Sequence, residues 1–181
     1  VPPGPAAAIR LRLDGLHADD LCLRPEHAAR IACRSGVAYQ EIWSSSQMTI
    51  CIFLLRAGAR IPLHDHPGMR VFGRLLFGRM RVLSFDLAEE LPAEGGAPVR
   101  AKCYGRKVLG PEPVTYGLGP EEGNVHELQA IDHCAFFDIL TPPYDVARGR
   151  DCTYYRCLED AASGGYFLEP MPMSNFRMEM Q

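Results

Sequence analysis

His64 and His66 stand two residues apart in Gly58-Ala59-Arg60-Ile61-Pro62-Leu63-His64-Asp65-His66-Pro67-Gly68, a stretch bounded by glycines at both ends. Residues two apart on an extended strand share a face, so both imidazoles project one way while Leu63 and Asp65 project the other. Two imidazoles on one face can chelate a single metal ion at about 2.0–2.2 Å. A third donor has to come from another strand. His126 follows the glycine turn at Gly123-Asn124 and opens an apolar strand, and His133 opens one too. Spacing alone leaves both in contention. His17 and His27 have no partner at a useful spacing and read as surface residues.

Asp138 interrupts the apolar run Ala135-Phe136-Phe137-Asp138-Ile139-Leu140. An unpaired acid is expensive to bury, so it either faces water or has a partner to meet. Tyr144 follows Pro142-Pro143, whose fixed φ angles hold a turn stiff. It reads equally well as a site residue or as an aromatic on a barrel rim. Cys152 and Tyr154 are two apart and share a face. Arg150 and Asp151 read as a structural ion pair. Trp43 and the methionines Met171, Met173, Met178 and Met180 read as core and C-terminal packing.

The elements that must position these groups are mostly short strands. Arg24-Pro25-Glu26 places proline in a first helical turn, and Ala28, Ala29 and Ile31 carry that helix toward Ser35-Gly36. Strands are then expected over residues 48–55, 60–66, 69–77, 80–87, 101–108, 114–118, 125–131 and 134–140, with shorter ones at 154–157 and 165–168. Gly68, Gly78-Arg79 and the Gly-Pro and Pro-Pro pairs punctuate them. Residues 89–98 are rich in Ala, Glu, Gly and Pro and read as a surface loop. Many turn-bounded strands after one early helix predict an all-β barrel or sandwich.

The chain has 181 residues, the length of one domain with a real core, and 47% apolar against 23% charged residues, a soluble globular balance. A net charge of −3 gives no electrostatic reason to expect nucleic acid or an anionic membrane as a partner. Runs such as Ile50–Leu55 are too short to cross a bilayer as helices. Val1-Pro2-Pro3-Gly4-Pro5 lacks the cationic start and apolar stretch of a signal peptide, although a chain without an initial Met leaves room for a removed targeting segment. Seven scattered cysteines with no C-x-x-C pair predict reduced thiols and a cytosolic location, with the nucleus as a second one.

The segments around His64-Asp65-His66 and Gly123-Asn124-Val125-His126 resemble the two metal motifs of the cupin superfamily. That implies a double-stranded β-helix (jelly-roll) barrel with one or two short N-terminal helices. The glycine turn mirrors the second cupin motif and favours His126 over His133. Arg70 and Val71 occupy the positions where the usual first motif has its glutamate ligand, while Gly78 falls at its closing glycine. A set of three neutral histidines without an acid is typical of thiol dioxygenases. Adding Leu75-Leu76-Phe77-Gly78, Asp138-Ile139-Leu140-Thr141-Pro142-Pro143-Tyr144 and Gly149-Arg150-Asp151-Cys152-Thr153-Tyr154-Tyr155, the chain resembles the cysteamine dioxygenase and plant cysteine oxidase family, nearer its plant branch around residues 69–78.

That resemblance implies one domain over residues 1–181 with its metal core at about 48–157. It implies Fe(II) on His64, His66 and His126, with O2 and a thiol as substrates and no 2-oxoglutarate or nicotinamide. It makes Asp138 and Tyr144 active-site residues. In animal cysteamine dioxygenase the pair matching Cys152 and Tyr154 can form a thioether crosslink. The same pair also fits a buried cysteine beside a packed tyrosine. For the plant branch it implies a monomer that oxidises the N-terminal cysteine of proteins such as ethylene-response transcription factors and feeds the arginine N-degron route. Oxidation of cysteamine or free cysteine, or a non-catalytic metal-binding cupin, are the alternatives.

Overall fold

A computed structural model describes residues 4–89, 96–110, 112, 114–160, 164–172 and 176–180. Two helices open the chain, α1 (Pro5–Asp14) and α2 (Pro25–Ala29), with a single 3-10 turn at Ala18–Leu21 between them. Strands follow: β1 (Val37–Ser44), β2 (Thr49–Leu55), β3 (Arg60–His64), β4 (Arg70–Phe77), β5 (Met80–Leu87), β6 (Val99–Leu109), β7 (Tyr116–Leu118), β8 (Val125–Ala130), β9 (Cys134–Thr141), β10 (Tyr154–Asp160), β11 (Gly165–Met171) and β12 (Glu179–Met180).

They form a double-stranded β-helix barrel. One sheet runs β12-β1-β2-β9-β4-β7, and the other six strands close on themselves in the order β10-β11-β6-β5-β8-β3. The closing pair is a single register match, Tyr154 opposite His64. On the next seam of the ring His64 lies opposite His126. Ring closure therefore brings three of the residues that chemistry needs to one place.

The apolar runs of β2 and β9 have buried residues on both faces, which is why neither alternates with polar residues. Outward-facing Ile52, Leu54, Phe72 and Phe137 pack beneath Leu13 of α1, Ala28 of α2 and Ile31. Inward-facing Leu55, Leu75 and Phe136 meet Ile61 and Leu128 from the closed ring. Helix α1 is tied down by polar contacts as well. Asp14 Oδ1 accepts the Thr115 amide and hydroxyl at 2.7 and 2.6 Å. The buried Arg74 donates to the carbonyls of Leu16 and Glu112. Those bonds fix the approach to β7.

Several expectations change. The predicted helix ends at Ala29 instead of running on to Ser35, and the second of the one or two expected helices, α1, had no place assigned to it: Ala-rich and interleaved with arginine, it buries only Leu13. Strand β1 was also missed, because a bulge between Glu41 and Trp43 breaks its alternation. Trp43 is 49% exposed and is not core. Of the methionines, Met178 is partly buried against the inner core, Met171 and Met180 are exposed, and Met173 lies outside the described residues. The 89–98 loop lies mostly outside them too.

Candidate metal centre

β3 ends at His64, and His66 sits just beyond it with its ring still beside that of His64, centroids 4.9 Å apart. Asp65 accordingly points away and works as a clamp. It accepts the Thr153 amide at 2.8 Å and the Tyr155 hydroxyl at 2.7 Å, locking the segment onto β10. Burial raises its carboxyl above the ordinary range. Asn124 performs the matching task from the other motif. Its side chain accepts the His66 amide at 3.0 Å and donates to the His66 carbonyl at 2.7 Å. The left-handed φ of +67° at Gly123 makes the turn that presents it. Neither clamp was singled out from the sequence, since a polar residue beside a histidine has no distinguishing spacing.

The ring nitrogens of His64, His66 and His126 lie within 4.8 Å of one another, and all three residues are buried. Two of the three tautomers follow from their neighbours. His64 Nδ1 is 2.8 Å from the Pro62 carbonyl, which can only accept, so the proton is on Nδ1 and the lone pair on Nε2. The Tyr144 hydroxyl donates its one hydrogen to the Asp65 carbonyl at 2.7 Å and must therefore accept from His66 Nδ1 at 2.9 Å. That leaves a lone pair on His66 Nε2 as well, 3.2 Å from His126 Nε2.

Two ring nitrogens that close share either a proton or a cation. Ligands about 2.0–2.1 Å from one ion and at right angles would stand about 3 Å apart, so the 3.2 Å between His66 and His126 suits a shared metal, with His64 as the third donor of the cluster. Burial pushes His64 down to about 4 and holds His66 and His126 well below the ordinary range, which keeps all three neutral and able to donate. His133 is elsewhere: its Nδ1 accepts the Ala57 amide at 3.1 Å, and it is not part of the cluster. His17 and His27 are exposed.

A cavity of about 230 Å³ opens over the three histidines, and Asp138, Tyr144, Cys152 and Tyr154 all line it together with Phe53, Phe136 and Leu140. Asp138 is buried, and Tyr116 is its only hydrogen-bond donor to the carboxyl among the described residues, at 3.0 Å. Burial pushes the Asp138 carboxyl up to about 7, against the pull of that hydroxyl. Tyr116 escaped the sequence reading. It belongs to β7, and Gly73 of β4 lies between it and Asp138, opposite Tyr116 on one side and Asp138 on the other. A Cβ on Gly73 would sit 2.1 Å from the Tyr116 ring, so this glycine is the gap through which the tyrosine reaches the acid.

Cys152 and Tyr154 share the cavity wall, and burial pushes the thiol up to about 11 and the phenol up to about 12. Both are protonated near neutral pH. The expected Arg150–Asp151 pair does not form. Arg150 reaches Asp145 at 3.6 Å, while Asp151 accepts the Cys152 amide at 2.8 Å.

The PCO_ADO family model matches residues 12–166. Human 2-aminoethanethiol dioxygenase is 33% identical over 183 residues, covering 87% of this chain and 67% of its own length. Plant cysteine oxidases 1 and 2 of Arabidopsis thaliana are 34% and 35% identical, each over 81% of this chain and over 53% and 55% of their own lengths. The chain thus spans about two thirds of the human relative and about half of the plant ones, and identity does not separate the two branches. Among solved structures, an oxalate oxidase bound to glycolate aligns at TM-score 0.47 with 15% identity, covering 68% of this chain and 57% of its own. A cupin superfamily protein from Desulfitobacterium hafniense aligns at 0.42 with 13% identity, covering 63% and 85%. Matched over most of its length by one family model and by relatives at a third identity, this chain belongs to the PCO_ADO family of thiol dioxygenases.

Proposed function

We propose that this protein is an Fe(II)-dependent dioxygenase that converts the N-terminal cysteine of peptides or proteins to cysteine sulfinic acid. One observation carries the reading: three buried, neutral imidazoles without a carboxylate ligand share a small cavity with a single buried acid, Asp138. The overall reaction, RSH + O2 → RSO2H, takes four electrons from sulfur and gives them to O2, so it needs no other reductant. Bound Fe(II) would supply a +2 charge that favours the thiolate and a centre that reacts with O2.

The chain's own groups would do the rest. His64, His66 and His126 hold the metal, and their neutrality leaves its charge uncancelled. Tyr144 and the Pro62 carbonyl fix two of the rings in the donor tautomer, as outer partners of metal-bound histidines do. Asp138 receives the substrate ammonium, whose charge would draw the carboxyl back to its ionised form. Tyr116 holds it in place. Phe53, Phe136 and Leu140 exclude water around the sulfur.

Fe(II)-loaded, anaerobically prepared protein, offered equal amounts of a Cys-initiated peptide and cysteamine, tests this when air is admitted. Preferential gain of two oxygen atoms by the peptide supports the proposal. Conversion of cysteamine alone would make this a small-thiol enzyme, and retained iron with no thiol oxidised would leave a metal-binding cupin.

We extend the same reading to biology. Such a monomer in cytosol and nucleus, acting on regulatory proteins such as ethylene-response transcription factors, would report oxygen through the arginine N-degron route. A Cys-initiated reporter lost in air and retained at low oxygen only when this protein is present is the expected result. Equal loss in both atmospheres would sink it.

A further inference from the structure

The histidine cavity does not end at its own walls. Phe53, Leu140, Tyr144 and Met178 also line a second hollow of about 450 Å³ that runs beside the β1–β2 hairpin. Strand register shows how one becomes the other. Across β9, β2 and β1, Phe136 faces Phe53 and Phe53 faces Tyr39, with ring centroids 4.9 and 5.1 Å apart. In the next row Asp138 faces Cys51, which faces Glu41. Residues directly opposite on neighbouring strands share a face, so the cavity floor on β9 continues as the groove floor on β1.

At about 4.8 Å per strand, Glu41 stands roughly 10 Å from Asp138. An extended peptide covers that distance in about three residues. The charges are unequal along the way. Asp145 on the groove wall is already held by Arg148 at 3.3 Å and Arg150 at 3.6 Å. Glu41 is exposed, touched only by the Tyr39 hydroxyl at 3.5 Å, and has no cation beside it among the described residues.

We propose that this groove is a track for the peptide that follows the substrate's N-terminal cysteine, and that Glu41 selects a basic side chain about three to four residues downstream. The inference rests on the N-terminal cysteine reading and specifies its substrate. It is tested with two Fe(II)-loaded variants, Glu41→Lys and Ser44→Trp, both at exposed positions of β1 lining the groove. Their kcat/KM values are compared with those of the unaltered protein on Cys-Gly-Gly-Lys-Ala, Cys-Gly-Gly-Glu-Ala and the dipeptide Cys-Gly, which ends short of Glu41.

The unaltered protein is expected to favour the Lys peptide about two- to fivefold at low salt, the size of an exposed ion pair, and to lose that preference as salt rises. Glu41→Lys reverses the order. Ser44→Trp slows both longer peptides, and neither variant changes the rate on Cys-Gly. Unchanged peptide ranking in Glu41→Lys, with the peptides still oxidised, would overturn the track alone. Failure to oxidise any of the three peptides, with cysteamine consumed, would overturn the underlying reading as well.

Discussion

The histidine centre and the β1–β2 groove meet at Tyr144 and Met178, yet they are built in opposite ways. In the centre no fully buried side-chain nitrogen or oxygen among the described residues lacks a hydrogen-bond partner, and two ring tautomers are dictated by neighbours. Such a site is preorganised for one ion and tolerates little. In the groove the chemistry is exposed, with Glu41 and the hydroxyl-bearing turn Ser44 to Ser46 facing solvent or lying only partly covered. A surface of that kind adjusts to varied sequences and weighs them by modest charge effects. On the proposed reading, reaction and selection are separated, and the boundary between them can be probed.

The largest effect is expected at a ligand. His126→Ala should lose both metal and activity, measured by metal analysis and oxygen uptake, whereas His133→Ala should keep both. Equal loss in the two would mean the third donor is misassigned. Asp138→Asn should come next, cutting kcat/KM by on the order of 100-fold, because the substrate ammonium then enters a buried site without its counter-charge. Metal content should stay unchanged, and a fall in it would place Asp138 in the metal's support instead.

Tyr144→Phe removes the acceptor of the His66 Nδ1 proton. Metal affinity should weaken by about 10- to 100-fold, read by competition with a chelator. An unaltered affinity would make Tyr144 only a wall. Tyr116→Phe should cost about tenfold in kcat/KM, the loss of one hydrogen bond to an ionised group. Gly73→Ala should cost about 1–3 kcal/mol of stability as well, since the ring has to move off the new methyl.

A pH comparison gives the smallest signal. In metal-free protein Asp138 keeps its proton up to about 7, against 3.8 for an ordinary carboxyl. Between those values the folded state binds a proton that the unfolded chain has lost, so this group destabilises the fold as pH rises. The melting temperature of Asp138→Asn should therefore gain on that of the unaltered protein from about pH 4 to 7 and level off above. A constant difference would mean the carboxyl is already ionised at pH 4. The buried histidines act in the other direction, but they are common to both proteins and cancel.

Much of the centre was legible because strand geometry translates spacing into position. His64 and His66 share a face for the same reason that Asp65 does not, and an acid alone in an apolar strand had either to face water or to find a partner. Tyr116 was not legible. Its partner lies 22 residues away in the chain, and the gap that admits it is a glycine on a third strand. Choosing His126 over His133 needed resemblance to a known motif, because both open apolar strands. Strand boundaries from β2 to β9 fell within a residue or two of expectation where runs were buried on one or both faces. Helix α1 and strand β1 gave weak signals, one for want of a broad apolar stripe and the other through its bulge.

The central claim is that this centre inserts both atoms of one O2 into a thiol. It is tested most directly by running the Fe(II)-loaded protein on a Cys-initiated peptide under a mixture of light and heavy oxygen gas. Product carrying two light or two heavy oxygens, with none mixed, is the predicted result. Sulfinic acid carrying one of each, or only oxygen from water, would contradict it.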